Sequence, residues 1–375
     1  MASTNKTAGP AESAILDGAG DIGETLLRNA CTRFLNWHGQ RPPAELLADI
    51  PADVTPDRYG EGGVVAELEH EVASLLGMAA AVFLPSGTMA QQAALRVHAD
   101  RRGRRTVVFH PTCHLDHHEG RAYQRLHGLL GRPAGDAHQL LTLDDLQAVA
   151  EPPAALLVEL PQREIGGRLP EWDDLVAQVE WARERGAAVH LDGARLWECT
   201  PFYRRTPAEI AALFDTVYVS FYKGLGGLGG CCLAGQKDIV AEVREWRRRH
   251  GGTLFLLWPY AASALTGLRR RLPRMPEYYA HAQAIAAAAR TLPGVEVVPD
   301  PPQTTMMHLL LRAGAEQIRT VALHLAEQER IWTWPRSQPT DSPNIQRVEL
   351  TVGDATLGFS PAEVREILER LLSPE

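Results

Sequence analysis

The stretch TVYVSFYKGLGGLGG, residues 216–230, decides the class of fold together with VHLDGAR at residues 189–195. Each stretch begins as a short, almost wholly apolar run, which predicts a parallel strand covered on both faces. Polar residues follow where each strand would end: Asp192 and Arg195 after the first, and Lys223 after the second. The sequence therefore predicts an α/β fold with a ligand site at the carboxyl edge of its sheet.

Similar runs on both sides extend this prediction. Between about residues 64 and 250, apolar runs alternate with helical patterns, as expected for parallel strands joined by crossover helices. Predicted strands cover residues 79–84, 106–109, 154–160, 187–191, 216–221 and 231–234, and predicted helices cover 64–76 and 172–185. Farther on, an alanine-rich helix at about 275–292 and strand-like pieces at 295–298 and 308–311 predict a smaller α+β unit.

The length of the chain favours more than one domain. At 375 residues the chain is longer than one hydrophobic core usually supports. We expect an N-terminal arm at residues 1–54, a large domain with the ligand site at 55–265 and a small C-terminal domain at 266–375. The arm has an irregular pattern that Pro42 and Pro43 interrupt, so we expect it to stand apart from the core.

Composition argues against several classes of function. The formal charge of -8 gives no general attraction to nucleic acid. The first residues lack the pattern of a signal peptide, and no later run reaches about eighteen apolar residues, so we expect no membrane contact. Five cysteines without CxxC spacing are typical of reduced thiols in a cytoplasmic protein.

Lys223 and Asp192 are the strongest candidates for chemistry. A lysine flanked by apolar residues loses its proton readily and can form a Schiff base with a carbonyl cofactor. A buried Asp192 needs a positive partner, and a protonated pyridine nitrogen would serve as one. Taken alone, these residues also allow a surface lysine in a hairpin and an Asp192–Arg195 salt bridge.

The glycines after Lys223 spell the GxGxxG motif of dinucleotide sites within residues 224–229. We reject that interpretation because the motif must open a helix. Residues 231–234 instead continue as a strand pattern, and the lysine precedes the glycines, unlike the lysine of a P-loop.

Two upstream segments could also contact a cofactor. Ser86, Gly87 and Thr88 begin a helical pattern, where free backbone amides form an anion site, although an ordinary helix cap explains the same residues. The stretch CHLDHHE at residues 113–119 lacks the closed ligand pattern of structural zinc. We favour stacking of the His114 imidazole on a flat cofactor ring, with a metal site and a solvated loop as alternatives.

Several motifs together resemble the threonine aldolase branch of the β-eliminating lyase family, whose members use pyridoxal 5′-phosphate (PLP). The motifs are YGEGG at 59–63, PSGTMA at 85–90, the His114–Glu119 pair, GGRLP at 166–170, DGARLW at 192–197 and SFYKGLGG at 220–227. The resemblance covers roughly residues 55–350. It implies PLP fold type I, which is aminotransferase-like, with a large, mostly parallel seven-stranded sheet domain and a smaller C-terminal α+β domain.

The resemblance also implies a role for each candidate residue. For the cofactor, these are Lys223 as covalent carrier, Asp192 at the pyridine nitrogen, His114 stacked on the ring, Ser86, Gly87 and Thr88 at the phosphate, Arg195 beside the cofactor, and Arg248 reaching a phosphate across a subunit interface. Arg195 and Arg347 would bind the substrate carboxylate, which suits the guanidinium fork. Shared sites of this kind imply a homodimer or homotetramer.

Two departures from the family pattern bear on the chemistry. Gln162 stands where the family has a histidine that handles the substrate hydroxyl. Glutamine can hydrogen-bond a hydroxyl but cannot act as a base, so His114 or a bound water would have to accept the proton. The second departure is the segment 251–256, which lacks an arginine that the family has there. In and after this segment, Phe255, Trp258 and Tyr260 could line a pocket for a larger substrate side chain, and core packing explains them equally well.

The sequence thus predicts a PLP-dependent carbon–carbon lyase acting on a small amino acid substrate. It would cleave a β-hydroxy-α-amino acid, threonine or a bulkier analogue, to glycine and an aldehyde. The alternative is β-elimination from a β-substituted amino acid to a keto acid and ammonia. A non-catalytic protein with this fold is a third interpretation, which the complete set of Lys223, Asp192 and Arg195 disfavours. We expect no metal.

Overall fold

The computed structural model describes residues 22–342 and 344–373. Its strands are β1 Arg33–Phe34, β2 Ala80–Leu84, β3 Thr106–Phe109, β4 Leu130–Pro133, β5 Ala155–Glu159, β6 Ala188–Gly193, β7 Thr216–Ser220, β8 Cys231–Gly235, β9 Val295–Val298, β10 Met306–Leu311, β11 Ile331–Trp332, β12 Gln338–Pro339 and β13 Gln346–Thr351. Its α-helices are α1 Ile22–Ala30, α2 Pro43–Ala48, α3 Gly63–Leu75, α4 Gly87–Arg102, α5 His114–His117, α6 Ala122–His127, α7 Leu143–Gln147, α8 Trp172–Glu184, α9 Leu196–Tyr203, α10 Pro207–Ala211, α11 Lys237–Arg249, α12 Trp258–Arg271, α13 Met275–Ala289, α14 Ala315–Glu329 and α15 Pro361–Leu372.

Seven strands form the large sheet, in the order β2-β8-β7-β6-β5-β3-β4. β8 runs antiparallel to both of its neighbours, and the other adjacent pairs are parallel. Every residue of β3, β6, β7 and β8 is buried, as expected for strands covered by helices on both faces. The sheet confirms the predicted fold class, and each predicted strand begins and ends within two residues of an observed one.

A second, antiparallel sheet has the order β12-β13-β10-β9. α13 and α14 both pack against α15 in this part of the chain. α12 runs across residue 265, where the sequence suggested the domain boundary, and the boundaries at residues 54 and 265 stay predictions. No helix among the described residues is both long and apolar enough to span a bilayer.

The N-terminal arm does not stand apart from the core, so that expectation was wrong for residues 31–39. β1 pairs in parallel with β11, and Leu35 is fully buried. The N–H of Trp37 donates to the carbonyl of Thr351 over 2.8 Å. The arm thus satisfies its backbone groups against the small sheet, as buried polar backbone must. Residues 1–21 of the predicted arm lie outside the described residues.

Candidate active site

The carboxyl ends of neighbouring parallel strands bring the predicted polar residues together. Glu159 ends β5 and pairs in register with Asp192 near the end of β6. Lys223 follows the end of β7 by three residues, and His114 opens α5 a few residues after β3. Because parallel strands end at one edge of a sheet, this edge is the expected place for a ligand.

Asp192 is buried without a cationic partner. Its side chain is 2% exposed, and its Oδ1 accepts one hydrogen bond, from the N–H of Ala194 over 3.1 Å. Burial raises the pKa of Asp192. The alternative salt bridge to Arg195 does not form within the described part of the chain, since Arg195 pairs with Glu198 and Glu349. A buried carboxylate in this position is costly unless a positive group joins it.

Lys223 has the properties of a nucleophilic amine. Burial, followed by the Arg195 charge, lowers the pKa of its ammonium group. No carboxylate among the described residues forms an ion pair with it, and its Nζ lies 5.9 Å from the centre of the Tyr222 ring. A desolvated lysine of this kind is poised to react with a carbonyl, unlike a solvated lysine in a surface hairpin.

Three side chains hold the loop that follows Lys223. The carbonyl of Gly224 lies 3.0 Å from Nε2 of His38. The Nη1 of Arg271 donates to the carbonyl of Leu225 over 2.8 Å, and the N–H of Leu228 donates to Oγ of Ser263 over 3.0 Å. The loop is therefore fixed from the arm and from α12.

His114 forms a pair with the buried Glu119. Nδ1 of His114 lies 3.1 Å from Oε1 of Glu119, and the other carboxylate oxygen of Glu119 has no hydrogen-bond partner. Burial lowers the pKa of His114 to about 4 and raises the pKa of Glu119 to about 7. At neutral pH the imidazole is therefore uncharged. The described residues hold no group of three or more His, Cys, Asp or Glu placed for a metal ion.

Gln162 and Glu159 lie beside this pair. Oε2 of Glu159 accepts the N–H of His114 over 3.0 Å, and burial, with Asp192 nearby, raises the pKa of Glu159 to about 7. The buried Gln162 donates from Nε2 to Oγ1 of Thr112 over 3.3 Å. Nε2 of Gln162 also lies 3.5 Å from the Glu159 oxygen that accepts the His114 N–H, but the Gln162 amide offers hydrogen bonds and no base.

The start of α4 combines a helix cap with two free backbone amides. Oγ of Ser86 accepts the N–H of Met89 over 3.5 Å, so the capping interpretation holds. The N–H groups of Gly87 and Thr88 bond no acceptor among the described residues. A Cβ on Gly87 would clash with the hydroxyl oxygen of Tyr218, so only glycine fits this close approach. Free amides at a helix start suit a phosphate.

The three predicted arginines lie in different surroundings. Arg195 is buried, and its guanidinium lies 5.6 Å from the centre of the Trp37 ring. Arg347 donates from Nη1 to the carbonyl of Glu164 over 3.2 Å and from Nε to Gln338 over 3.1 Å. Arg248 is 71% exposed at the end of α11 and pairs with Glu245. Arg195 thus lies among the strand-end residues, whereas Arg347 and Arg248 make their contacts elsewhere.

Comparison with known proteins places this site in a family. The sequence signature described as "Beta-eliminating lyase" matches residues 46–312, well over half of the chain. The chain belongs to the beta-eliminating lyase family. This lyase is 30% identical over 283 residues to the low specificity L-threonine aldolase of Escherichia coli K12, with 74% of this chain and 83% of that protein covered.

Two solved structures are similar to the lyase over almost its whole length. One, from Listeria monocytogenes and described as a candidate L-allo-threonine aldolase, has a TM-score of 0.86 and 40% identity over 92% of this chain and 97% of that chain. Another, from an Exiguobacterium species, is described as a candidate aromatic amino acid beta-eliminating lyase/threonine aldolase. It has a TM-score of 0.86 and 39% identity over 92% of this chain and 98% of that chain.

The lyase is a PLP-dependent enzyme, and its residues fit that cofactor. The buried, unpaired carboxylate of Asp192 requires a positive group such as a protonated pyridine nitrogen. The desolvated amine of Lys223 suits a covalent link to an aldehyde. The unbonded amides of Gly87 and Thr88 suit a phosphate. These three features come from three separate strand ends of the lyase.

Sequence reasoning missed four residues that shape the site. Trp37 and His38 come from the arm, where no pattern linked them to Arg195 or Gly224. Arg163 and Glu349 form an ion pair of 3.0 Å, although they lie far apart in sequence. The motif GGRLP near Arg163 and the candidate residue Arg347 marked these neighbourhoods in the sequence, but they did not indicate this contact.

Proposed function

We propose that this lyase cleaves β-hydroxy-α-amino acids, threonine or a bulkier analogue, to glycine and an aldehyde. The observation that carries the proposal is the buried Asp192 flanked by the desolvated amine of Lys223 and the uncharged imidazole of His114. These groups can hold a cofactor, bind an amino acid and accept a proton. The threonine aldolases among its relatives support the same chemistry.

Each residue would contribute a separate physical step. When bound, PLP supplies an electron-accepting ring that stabilises negative charge at the substrate Cα. An ionised Asp192 would keep the ring nitrogen protonated, and the start of α4 would hold the phosphate. The Lys223 amine would hold the cofactor by a covalent link. Arg195 fixes the substrate carboxylate, which aligns the Cα–Cβ bond for cleavage.

His114 is the proton acceptor that the lyase offers for the substrate hydroxyl. While Glu119 is ionised, Nδ1–H of His114 donates to it, and Nε2 is left free to accept a proton. Gln162 can orient the hydroxyl by a hydrogen bond but cannot take its proton. The same imidazole would stack on the cofactor ring.

The products of two substrate classes test this proposal. We expect the PLP-loaded lyase to release glycine and an aldehyde from both L-threonine and L-phenylserine, measured by a coupled aldehyde assay. S-methylcysteine serves as the elimination substrate. The opposite result is that the lyase releases keto acid and ammonia from S-methylcysteine faster than it releases aldehyde from either β-hydroxy acid. That result would contradict the proposal and favour β-elimination.

The pH dependence of cleavage should follow the ionisation of the Glu119 carboxyl group. The pKa of Glu119 is raised to about 7 by burial, and His114 needs the ionised form to keep Nε2 free. We therefore expect kcat/KM to rise with pH through about 7. Glu159 also has a pKa of about 7, but it contacts His114 only at the backbone N–H. In Glu119→Gln this limb should therefore disappear, with kcat/KM above it falling by no more than about 100-fold.

A pH–rate profile of the wild type, Glu119→Gln and Glu164→Gln checks this expectation. Glu164 accepts a hydrogen bond from the neighbouring His118 over 2.9 Å, so its replacement is the matched control and should retain the limb. If Glu119→Gln keeps the rise near pH 7, Glu119 does not control the proton acceptor.

We also propose that the lyase works as a homodimer or larger homo-oligomer. Beside the Lys223 loop lies an exposed apolar patch, formed by Tyr59, Tyr222, Leu254, Phe255, Leu256 and Tyr260. The rings of Tyr59 and Phe255 contact each other edge to face, with centroids 5.3 Å apart. Large exposed apolar patches are typical of subunit interfaces. A second subunit would cover the patch and would bring its exposed Arg248 towards a cofactor phosphate.

Replacing Phe255 by serine should weaken this association. Phe255 is 56% exposed, so burying it in an interface would contribute about 1.5–3 kcal/mol that serine cannot supply. Sedimentation should show dimers of the wild type dissociating at lower concentrations in Phe255→Ser, but not in Leu126→Ser, which changes an exposed leucine of α6. A wild-type lyase that sediments as a monomer would contradict the proposal.

We further propose that the lyase acts in the cytoplasm. All five cysteines are free and buried. Cysteines that form no disulfides are typical of proteins from reducing compartments.

A further inference from the structure

A row of alternating charges lies where the carboxyl edge of the large sheet meets β13. Nη2 of Arg195 lies 3.4 Å from Oε1 of Glu349, and Nε of Arg163 lies 3.0 Å from Oε2 of the same carboxylate. On its other side, Arg195 approaches Glu198 at 3.7 Å. Two arginines from successive strand ends, β5 and β6, thus contact one carboxylate from two sides.

Glu349 is a permanent anion in this row. Burial alone would raise its pKa, but the nearby His308, with Nε2 3.8 Å from Oε2 of Glu349, and the charges of Arg195 and Arg163 hold the pKa well below the ordinary value of a glutamate. Its charge orients both guanidinium groups. Each arginine also faces a second carboxylate, Glu164 beside Arg163 and Glu198 beside Arg195. The attraction for a further carboxylate would therefore come from the donors that the two guanidinium groups leave free.

Both arginines keep donors for such a ligand. Nε of Arg195 is buried, has no hydrogen-bond partner among the described residues and faces Glu198 at 3.7 Å. Nη1 of Arg195 and Nη2 of Arg163 bond no acceptor in the same part of the chain, and these are the donors that a ligand could use. Because both guanidinium groups already reach one carboxylate, they lie within the span of a single ligand carboxylate.

Arg347 lies on the other side of Glu164. Its guanidinium donates to the carbonyl of Glu164 and to Gln338, and it lines a cavity of about 550 Å³. Nη2 of Arg347 also lies 3.5 Å from Oε2 of Glu164, and Arg163 contacts the same carboxylate, with Nη1 2.9 Å from Oε1. Arg163 differs from Arg347 in that it also contacts Glu349, the carboxylate that Arg195 contacts.

We propose that Arg163 is the second arginine that binds the substrate α-carboxylate beside Arg195, with Glu349 holding both guanidinium groups in place. This inference rests on the proposed function, since it assumes an α-amino acid substrate. Glu349 acts as a positioning residue in this arrangement. Arg163 contacts the substrate and contributes to its affinity.

Glycine binding to the PLP-loaded lyase tests the proposal without requiring cleavage. Titration of glycine, followed by the cofactor's absorbance, should give a Kd about 10- to 100-fold higher in Arg163→Gln, because a charge-assisted hydrogen bond is lost. Arg336→Gln is the control, since Arg336 is exposed and pairs with Glu24, and its Kd should equal the wild-type value. Ethanolamine, which has no carboxylate, should bind the wild type and Arg163→Gln equally.

The variant Arg347→Gln decides between the two arginines. A larger loss of glycine affinity in Arg347→Gln than in Arg163→Gln overturns the proposal, as does an equal loss of ethanolamine and glycine affinity in Arg163→Gln. If thermal unfolding shows that Arg163→Gln does not fold, Arg163→Lys keeps the charge and should raise the Kd less strongly. A lyase that binds glycine through Arg163 but forms keto acid from threonine would sink the proposed function and leave this inference standing.

Discussion

Replacing Lys223 by alanine is expected to lower threonine cleavage by about 10⁴-fold or more and to abolish covalent attachment of the cofactor. The reason is that the desolvated amine of Lys223, shortly after β7, would carry the cofactor, and alanine has no group that can replace it. The steady-state rate of glycine formation measures the first effect. Borohydride reduction followed by mass spectrometry of the peptides measures the second.

The chain provides a matched control for this variant. It contains three lysines, Lys6, Lys223 and Lys237, and Lys237 begins α11, away from the strand-end residues. Lys237→Ala should retain both the attachment and the activity. Reduced cofactor found on Lys6 or Lys237 of the wild type would contradict the assignment of Lys223.

Replacing Asp192 by asparagine should lower kcat by about 10³-fold at saturating PLP, and it should also weaken PLP binding. An asparagine side chain cannot keep the ring nitrogen protonated, so the ring loses much of its capacity to stabilise charge at Cα. Steady-state kinetics and a PLP titration measure the two effects. Retention of kcat within about tenfold of the wild type would show that Asp192 does not face the ring nitrogen.

The stability of the PLP-free protein gives an independent readout of Asp192. Burial raises the pKa of Asp192 in the folded protein above its pKa in the unfolded chain. The free energy of unfolding is therefore highest at pH below the unfolded-chain pKa, and it falls as the pH rises through the folded-state pKa. At neutral pH the PLP-free Asp192→Asn variant should therefore unfold at a temperature at least as high as the wild type. If Asp192 had only a structural role, the PLP-free Asp192→Asn variant would unfold at a lower temperature than the wild type.

The sequence predicted the strands of the large sheet because their burial is nearly complete. An unbroken apolar run such as β7 has few other interpretations in an α/β protein. β4 escaped prediction because residues 130–133 form an edge strand that is mostly exposed, so no burial pattern marks it. β1 and β11 escaped because each has two residues and gains its structure from the other, about 300 positions away.

The site was predictable where chemistry follows a strand end, as at Asp192 and Lys223. The contact between Arg163 and Glu349 was not predictable, since it depends on how the small sheet meets the large one. Arg347 and Glu349 are two residues apart and lie on the same face of β13. We did not predict this strand from the sequence, and its residues alone do not indicate which of the two side chains reaches Arg195. Packing places Glu349 there.

The identity of the products from L-threonine tests the central claim most directly. We expect proton NMR of the PLP-loaded lyase with L-threonine to show glycine and acetaldehyde forming in equal amounts, and neither forming in Lys223→Ala. Formation of 2-oxobutanoate and ammonia in place of glycine would contradict the account.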